Sequence, residues 1–124
     1  MLRAVPRVLI VEDDRVIVRV LEINLRSDGF DVDTASTGAA AVDRARATAF
    51  AAIVCDLGLP DLSGDELVSA LVGAAGGAPI VVVSGAEPDA RSGGGYASMV
   101  EAVLRKPVDP AVVVETVRRV ARDV

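Results

Sequence analysis

The chain has 124 residues, 52% of them hydrophobic and 25% charged, with a formal net charge of −5. That is the size and apolar content of one folded domain, and the negative balance argues against direct nucleic-acid binding, which needs a basic surface to release counterions. One cysteine, Cys55, and no histidine exclude an intrachain disulfide, a cysteine-based zinc site and a Ser-His-Asp triad. Phe30, Phe50 and Tyr96 are the only aromatics, so Val, Ala, Leu and Ile must build the core. No apolar stretch is long enough for a signal or a membrane span, so a soluble cytoplasmic protein is expected.

Arg7–Val11 reads as a buried strand that ends abruptly in Glu12-Asp13-Asp14. A helical pattern follows, with Ile17, Leu21 and Leu25 four apart and Val20 beside them, and Asp28-Gly29 stops it. Phe30–Thr34 alternates as a second strand. Thr37 can N-cap an Ala-rich helix running to about Thr48. Ala52–Cys55 is a third buried strand, ending at Asp56. Ser63-Gly64-Asp65-Glu66 is a capping box that starts a helix through Val72, and Gly76-Gly77 breaks the chain. Pro79–Val83 is a fourth strand ending at Ser84. Across residues 85–102, Pro88 could open a helix, but Gly93-Gly94-Gly95 opposes its continuation by roughly 1 kcal/mol per glycine. Val103-Leu104 is a short fifth strand. Asp109-Pro110 is an N-cap followed by proline in the first turn, and Val113, Val117 and Val120 give the last helix its buried stripe.

Strand and helix alternate five times, and the continuous apolar strands imply a parallel α/β sheet covered on both faces. The reactive side chains fall at strand ends: Glu12 and Asp13 after the first, Asp56 after the third, Ser84 after the fourth and Lys106 after the fifth. In an open α/β sheet these ends share one edge, where ligands bind near the point at which strand order reverses. Two like charges 4 Å apart repel by about 4 kcal/mol at an effective dielectric of 20, so three carboxylates there need a cation, a proton or a lysine. Mg²⁺ suits such oxygen ligands, with Mn²⁺ as a substitute. Lys106 adds positive charge and Ser84 a hydroxyl donor. Asp56 is then a candidate nucleophile for phosphoryl transfer, which depends mostly on positioning and charge neutralisation.

Residues 8–14 (VLIVEDD), 56–64 (DLGLPDLSG), 79–84 (PIVVVS) and Lys106-Pro107, in this order over essentially the whole chain, resemble the receiver domains of two-component signalling. The resemblance implies a flavodoxin-like (βα)5 fold, a doubly wound sandwich with strand order 2-1-3-4-5, filling residues 1–124 as a single domain without an output domain. It implies that Asp56 is the phosphoacceptor and that Asp13 holds the metal directly, Glu12 through water and Gly58 through its backbone carbonyl. Ser84 and Lys106 would bind phosphoryl oxygens, and the Lys106–Pro107 bond would be cis. The implied donor is a sensor histidine kinase or a histidine phosphotransfer protein. The implied recipient is a downstream protein whose identity the sequence leaves open, as it leaves open a homodimer through the C-terminal face.

Two positions depart from the pattern. Receivers usually carry Tyr or Phe three residues before the lysine, a ring that moves inward on activation; here it is Val103, and Tyr96 lies too far back to replace it. Activation is therefore expected to be read through the Ser84 loop and residues 85–102. Gly58, two past Asp56, has no side chain to screen a phosphoryl group from water. Asp14 reads as an N-cap or a solvated residue, Asp61 and Asp65 as loop and helix-start acids, and Cys55 as a buried structural thiol. Gly93-Gly94-Gly95 lacks the Lys-Ser/Thr of a P-loop. Arg118, Arg119 and Arg122 suit the dipole at the end of the last helix.

A receiver of this kind is a signalling domain that catalyses only its own phosphoryl transfer and dephosphorylation. Two other readings compete with it. A Mg²⁺-dependent phosphohydrolase with an Asp nucleophile usually has a second Asp where this chain has Gly58. A receiver-like interaction module that acts without phosphorylation would be favoured by loss of the acidic pair or the lysine, and all are present. A dinucleotide-binding domain is disfavoured because the first strand ends in acids and not in a glycine-rich turn.

Overall fold

The computed structural model describes residues 5–85 and 95–122. Five strands, β1 (Arg7–Val11), β2 (Asp31–Ala35), β3 (Ala52–Asp56), β4 (Ile80–Ser84) and β5 (Ala102–Arg105), pair in parallel in the order β2-β1-β3-β4-β5. Four α-helices are described: α1 (Arg15–Ser27), α2 (Gly38–Ala47), α3 (Gly64–Ala74) and α4 (Pro110–Val120). This is the doubly wound arrangement expected, with one difference. Between β4 and β5 the described residues form a 3-10 helix over Gly95–Met99 rather than a full α-helix. The expected helix start at Pro88 and most of the glycine run lie outside the described residues.

Side chains alternate across each strand and so divide the core in two. Leu9, Val11, Ile53, Cys55, Ile80 and Val82 pack with Ala41 and Ala45 of α2 and with Leu67, Val68 and Leu71 of α3. Val8, Ile10, Ala52, Val54 and Val83 pack on the other face with Leu21 and Leu25 of α1 and with Val113, Val114 and Val117 of α4. Central strands covered on both faces have no polar face, which explains their unbroken apolar sequence.

Helix boundaries follow local chemistry. The Asp14 carboxylate accepts from the Val16 N–H at 2.9 Å, and Thr37 Oγ1 from the Ala40 N–H at 3.1 Å. Ser63 and Glu66 cap each other reciprocally. Asp109 accepts from the Ala111 N–H at 2.8 Å, with Pro110 in the first turn. Positive φ at Gly29 (96°) and Gly77 (94°) turns the chain after α1 and α3.

Several boundaries differ from expectation. β2 begins at Asp31, because Phe30 leaves the ladder to bury its ring between α1 and the sheet. α3 runs two residues past Val72, to Ala74. Pro79 precedes β4, as a residue without an N–H suits a strand entrance. Val20 is exposed and Val18 joins the packed face of α1. In α4 the stripe is Val113, Val114, Thr116 and Val117, with Val120 only half-buried. Arg118 forms a two-pronged ion pair with Asp28, Nε to Oδ2 at 3.0 Å, and thereby ties α4 to the end of α1.

Candidate functional site

Strand order reverses between β1 and β3, and the acidic residues gather at that switch point. Val11 sits opposite Cys55 in the ladder, so Glu12 and Asp56 leave the sheet at the same level. Asp56 sits opposite Val83, and Ser84 opposite Arg105, so Ser84 and then Lys106 follow in single steps along the same edge. Carboxylate oxygens of Glu12, Asp13 and Asp56 lie within 4.8 Å of one another. Glu12 is only 4% exposed and Asp56 9%, whereas Asp13 faces solvent.

Lys106 bridges the two buried acids. Its Nζ donates to Glu12 Oε1 at 3.1 Å and lies 3.5 Å from Asp56 Oδ1. Glu12 Oε2 accepts from the backbone N–H groups of Asp13 (3.0 Å) and Asp14 (3.2 Å). The Gly58 N–H donates to Asp56 Oδ1 at 3.2 Å. Burial pushes the Glu12 carboxyl up and contact with Asp56 adds to this, against the pull of the Asp14 N–H and Lys106. Desolvation works against the Lys106 charge, yet its hydrogen bond to Glu12 and the field of Asp56 raise it above the ordinary lysine range. The Lys106 shift reports the surrounding carboxylates, whereas the Glu12 shift comes first from burial.

All candidate metal donors here are oxygens, which suits a hard divalent cation. Cys55, adjacent in sequence, contributes none. Its thiol is buried, and burial together with the charges of Asp56 and Glu12 pushes its pKa up to about 12. It packs among Ile53, Val82 and the α3 side chains as a core residue.

The expected site residues thus meet at one edge. Glu12, Asp13, Asp56 and Lys106 form a contacting set, Gly58 touches Asp56 through its N–H, and Ser84 is buried at the end of β4. The Lys106 N–H donates to the Ser84 carbonyl at 2.9 Å, and Lys106–Pro107 is cis. Val103 is 38% exposed on β5. Tyr96 packs against the α2–α3 core cluster, away from the position three before the lysine.

Asp61 was legible only as a loop acid, and the structure gives it a task. Its carboxylate accepts from the N–H groups of Gly38 (2.9 Å) and Ala39 (3.1 Å), capping α2 from another loop. Those two bonds hold its pKa below the usual carboxylate range. A depressed carboxylate pKa stabilises the fold above the unfolded value and loses that contribution as pH falls through the folded one. Asp61→Asn should therefore lower the melting temperature at pH 7, with the gap to the native chain closing below pH 4. A gap independent of pH would contradict the cap.

Comparison with known proteins places these features in a family. The description "Response regulator receiver domain" matches residues 8–118. The chain belongs to this family. Among curated relatives, the transcriptional regulatory protein PrrA of Mycobacterium leprae is 43% identical over 79 residues, covering 64% of this chain and 34% of PrrA. The chain thus spans about a third of the length of the curated relatives it matches. Among solved structures, the chemotaxis protein CheY4 of Vibrio cholerae superposes with a TM-score of 0.82 at 28% identity, covering 94% of this chain and 99% of that one. A response regulator from Burkholderia pseudomallei, solved with a phosphorylated aspartic acid, a calcium ion and citrate, gives 0.78 at 26% identity, covering 94% and 66%. This receiver domain is therefore a signalling domain of the two-component type. Among its described residues, no helix is long and apolar enough to cross a membrane.

Proposed function

We propose that this receiver domain, acting in the cytoplasm, accepts a phosphoryl group on Asp56 from a phosphohistidine of a sensor kinase or phosphotransfer protein. The observation that carries the reading is the convergence of Asp56 with Glu12, Asp13 and Lys106 at the switch point of the sheet. In the transfer an Asp56 carboxylate oxygen attacks phosphorus, the P–N bond to imidazole breaks, and the imidazole leaves. Glu12, Asp13, Asp56 and the Gly58 carbonyl are the residues that would hold Mg²⁺ or Mn²⁺. When bound, that ion supplies positive charge to the phosphoryl oxygens. Lys106 neutralises another phosphoryl oxygen, and the Ser84 hydroxyl donates to a third once the group is attached.

Intact-mass measurement after incubation with acetyl phosphate and Mg²⁺ tests the reading. One phosphate adduct, dependent on Mg²⁺, is the expected result. Absence of an adduct with acetyl phosphate, phosphoramidate and a panel of phosphorylated kinases would favour an interaction module that works unphosphorylated.

Gly58 bears on the lifetime of the adduct. A Cβ at this position would lie 3.5 Å from Asp56 Oδ2, in ordinary contact, so a side chain fits there and would shield the carboxylate. Gly58→Met should therefore slow loss of phosphate several-fold, followed by mass over time after donor removal. Equal decay rates would remove the screening argument.

A further inference from the structure

Next to the acidic pocket, on its α1–α2 side, lies an open cavity of about 650 Å³. Glu12 and Asp13 form the wall it shares with the acidic pocket, and Arg15, Arg19 and Arg44 line it from α1 and α2. Arg15 and Arg19 are one turn apart and share a helix face. All three arginines are exposed and none makes an ion pair among the described residues, in contrast to Arg7, Arg26, Arg118 and Arg122. Of the acids that line it, Glu12 pairs with Lys106 and Glu22 with Arg26, which leaves Asp13 as the one exposed carboxylate facing three guanidinium groups among the described residues. A chain of net charge −5 therefore keeps three uncommitted guanidinium groups around one concavity that Glu12 and Asp13 separate from Asp56.

We propose that this cleft is an anion subsite that gathers phosphate-bearing donors beside Asp56. The proposal rests on the phosphoacceptor reading and extends it to donor selection. A phosphodonor is an anion approaching three carboxylates, and that approach is unfavourable without local positive charge. Guanidinium groups bind phosphate oxygens in pairs through parallel N–H donors, and a charged cleft raises the local concentration of its counter-ion. The subsite would favour a dianionic acyl phosphate over phosphoramidate, whose protonated nitrogen offsets part of its charge.

Labelling kinetics of the native chain and of the triple variant Arg15→Gln, Arg19→Gln, Arg44→Gln test it, after thermal melting has shown both to be folded. The KM for acetyl phosphate should rise about tenfold in the variant with kcat unchanged, in line with electrostatic capture. The KM for phosphoramidate should rise clearly less. Added KCl should erase the difference between the two proteins. An unchanged KM, or a fall in kcat alone, overturns the proposal. A second measurement does not depend on labelling. With Asp56→Asn in Mg²⁺-free buffer, inorganic phosphate should shift the backbone amide resonances of Arg15, Arg19 and Arg44, and the triple variant added to Asp56→Asn should abolish the shifts. No shifts in Asp56→Asn overturns the cleft, whereas shifts without labelling of the native chain by any donor overturn the phosphoacceptor reading alone.

Discussion

Asp56→Asn should abolish the phosphate adduct and, in metal-free buffer, make the protein more stable than the native chain. The first half follows from chemistry: a neutral amide is a poor nucleophile toward phosphorus. The second follows from the crowding of Glu12, Asp13 and Asp56, whose carboxylate oxygens lie within 4.8 Å of one another at a largely buried site. A pair of charges at such range repels by about 3–4 kcal/mol at an effective dielectric of 20. Lys106 offsets part of this, so a net gain of about 1–2 kcal/mol is expected, the usual direction when a reactive site is neutralised. Urea denaturation with and without Mg²⁺ measures it. Mg²⁺ should raise the stability of the native chain and should raise that of Asp56→Asn less, because the variant has lost one ligand charge. A native chain indifferent to Mg²⁺ at tens of millimolar, or a less stable Asp56→Asn, would refute the electrostatic account.

Lys106→Met should have the opposite sign. It removes the one cation that, among the described residues, contacts Glu12 and Asp56, and leaves a glutamate that is 4% exposed beside another buried acid. Breaking a fully buried ion pair costs about 3–5 kcal/mol and a surface pair about 0–1 kcal/mol. The Lys106 side chain is 28% exposed, so a loss of roughly 2 kcal/mol is expected, and Mg²⁺ should restore much of it by supplying the missing charge. Labelling by acetyl phosphate should slow about a hundredfold, the scale seen when one donor to developing charge is removed. A variant with native urea midpoint and native labelling rate would show that Lys106 is a bystander. The two substitutions together should come close to cancelling in stability, since each removes one side of the same imbalance.

How much of this was legible in sequence depends on where each residue sits. The central strands announced themselves because burial on both faces leaves no room for polar residues, and Glu12, Asp13, Asp56, Ser84 and Lys106 stand out where those apolar runs stop. Thr37, Ser63 and Asp109 were readable as caps because each acts on the helix that immediately follows it. Asp61 acts on a helix 22 and 23 residues earlier, and no local pattern carries that information. Arg15, Arg19 and Arg44 carry no such local signal for the same reason, as their common cavity exists only once α1 and α2 flank the end of β1. With Val103 exposed and Tyr96 packed on the α2–α3 cluster, neither takes the place of the usual ring, and signalling is expected to run through the Ser84 loop and residues 85–102. Hydrogen exchange over that stretch, with and without a phosphoryl mimic, should change; no change would count against it.

The contact between the loop after Asp56 and the start of α2 has a consequence for engineering. Asp61 bonds the first two N–H groups of α2, and Leu62 lies so near Gly38 that an added Cβ would sit 2.5 Å from its Cδ1. The two segments are a lock and its key, and they are separable only in the linear sequence. A chimera that imports the 57–63 loop from another receiver must bring an acid at 61 to cap the native α2. One that imports α2 alone must bring a small residue at 38 to fit beside the native Leu62. Chimeras that exchange both together should fold, and those that split the pair should lose the helix start first.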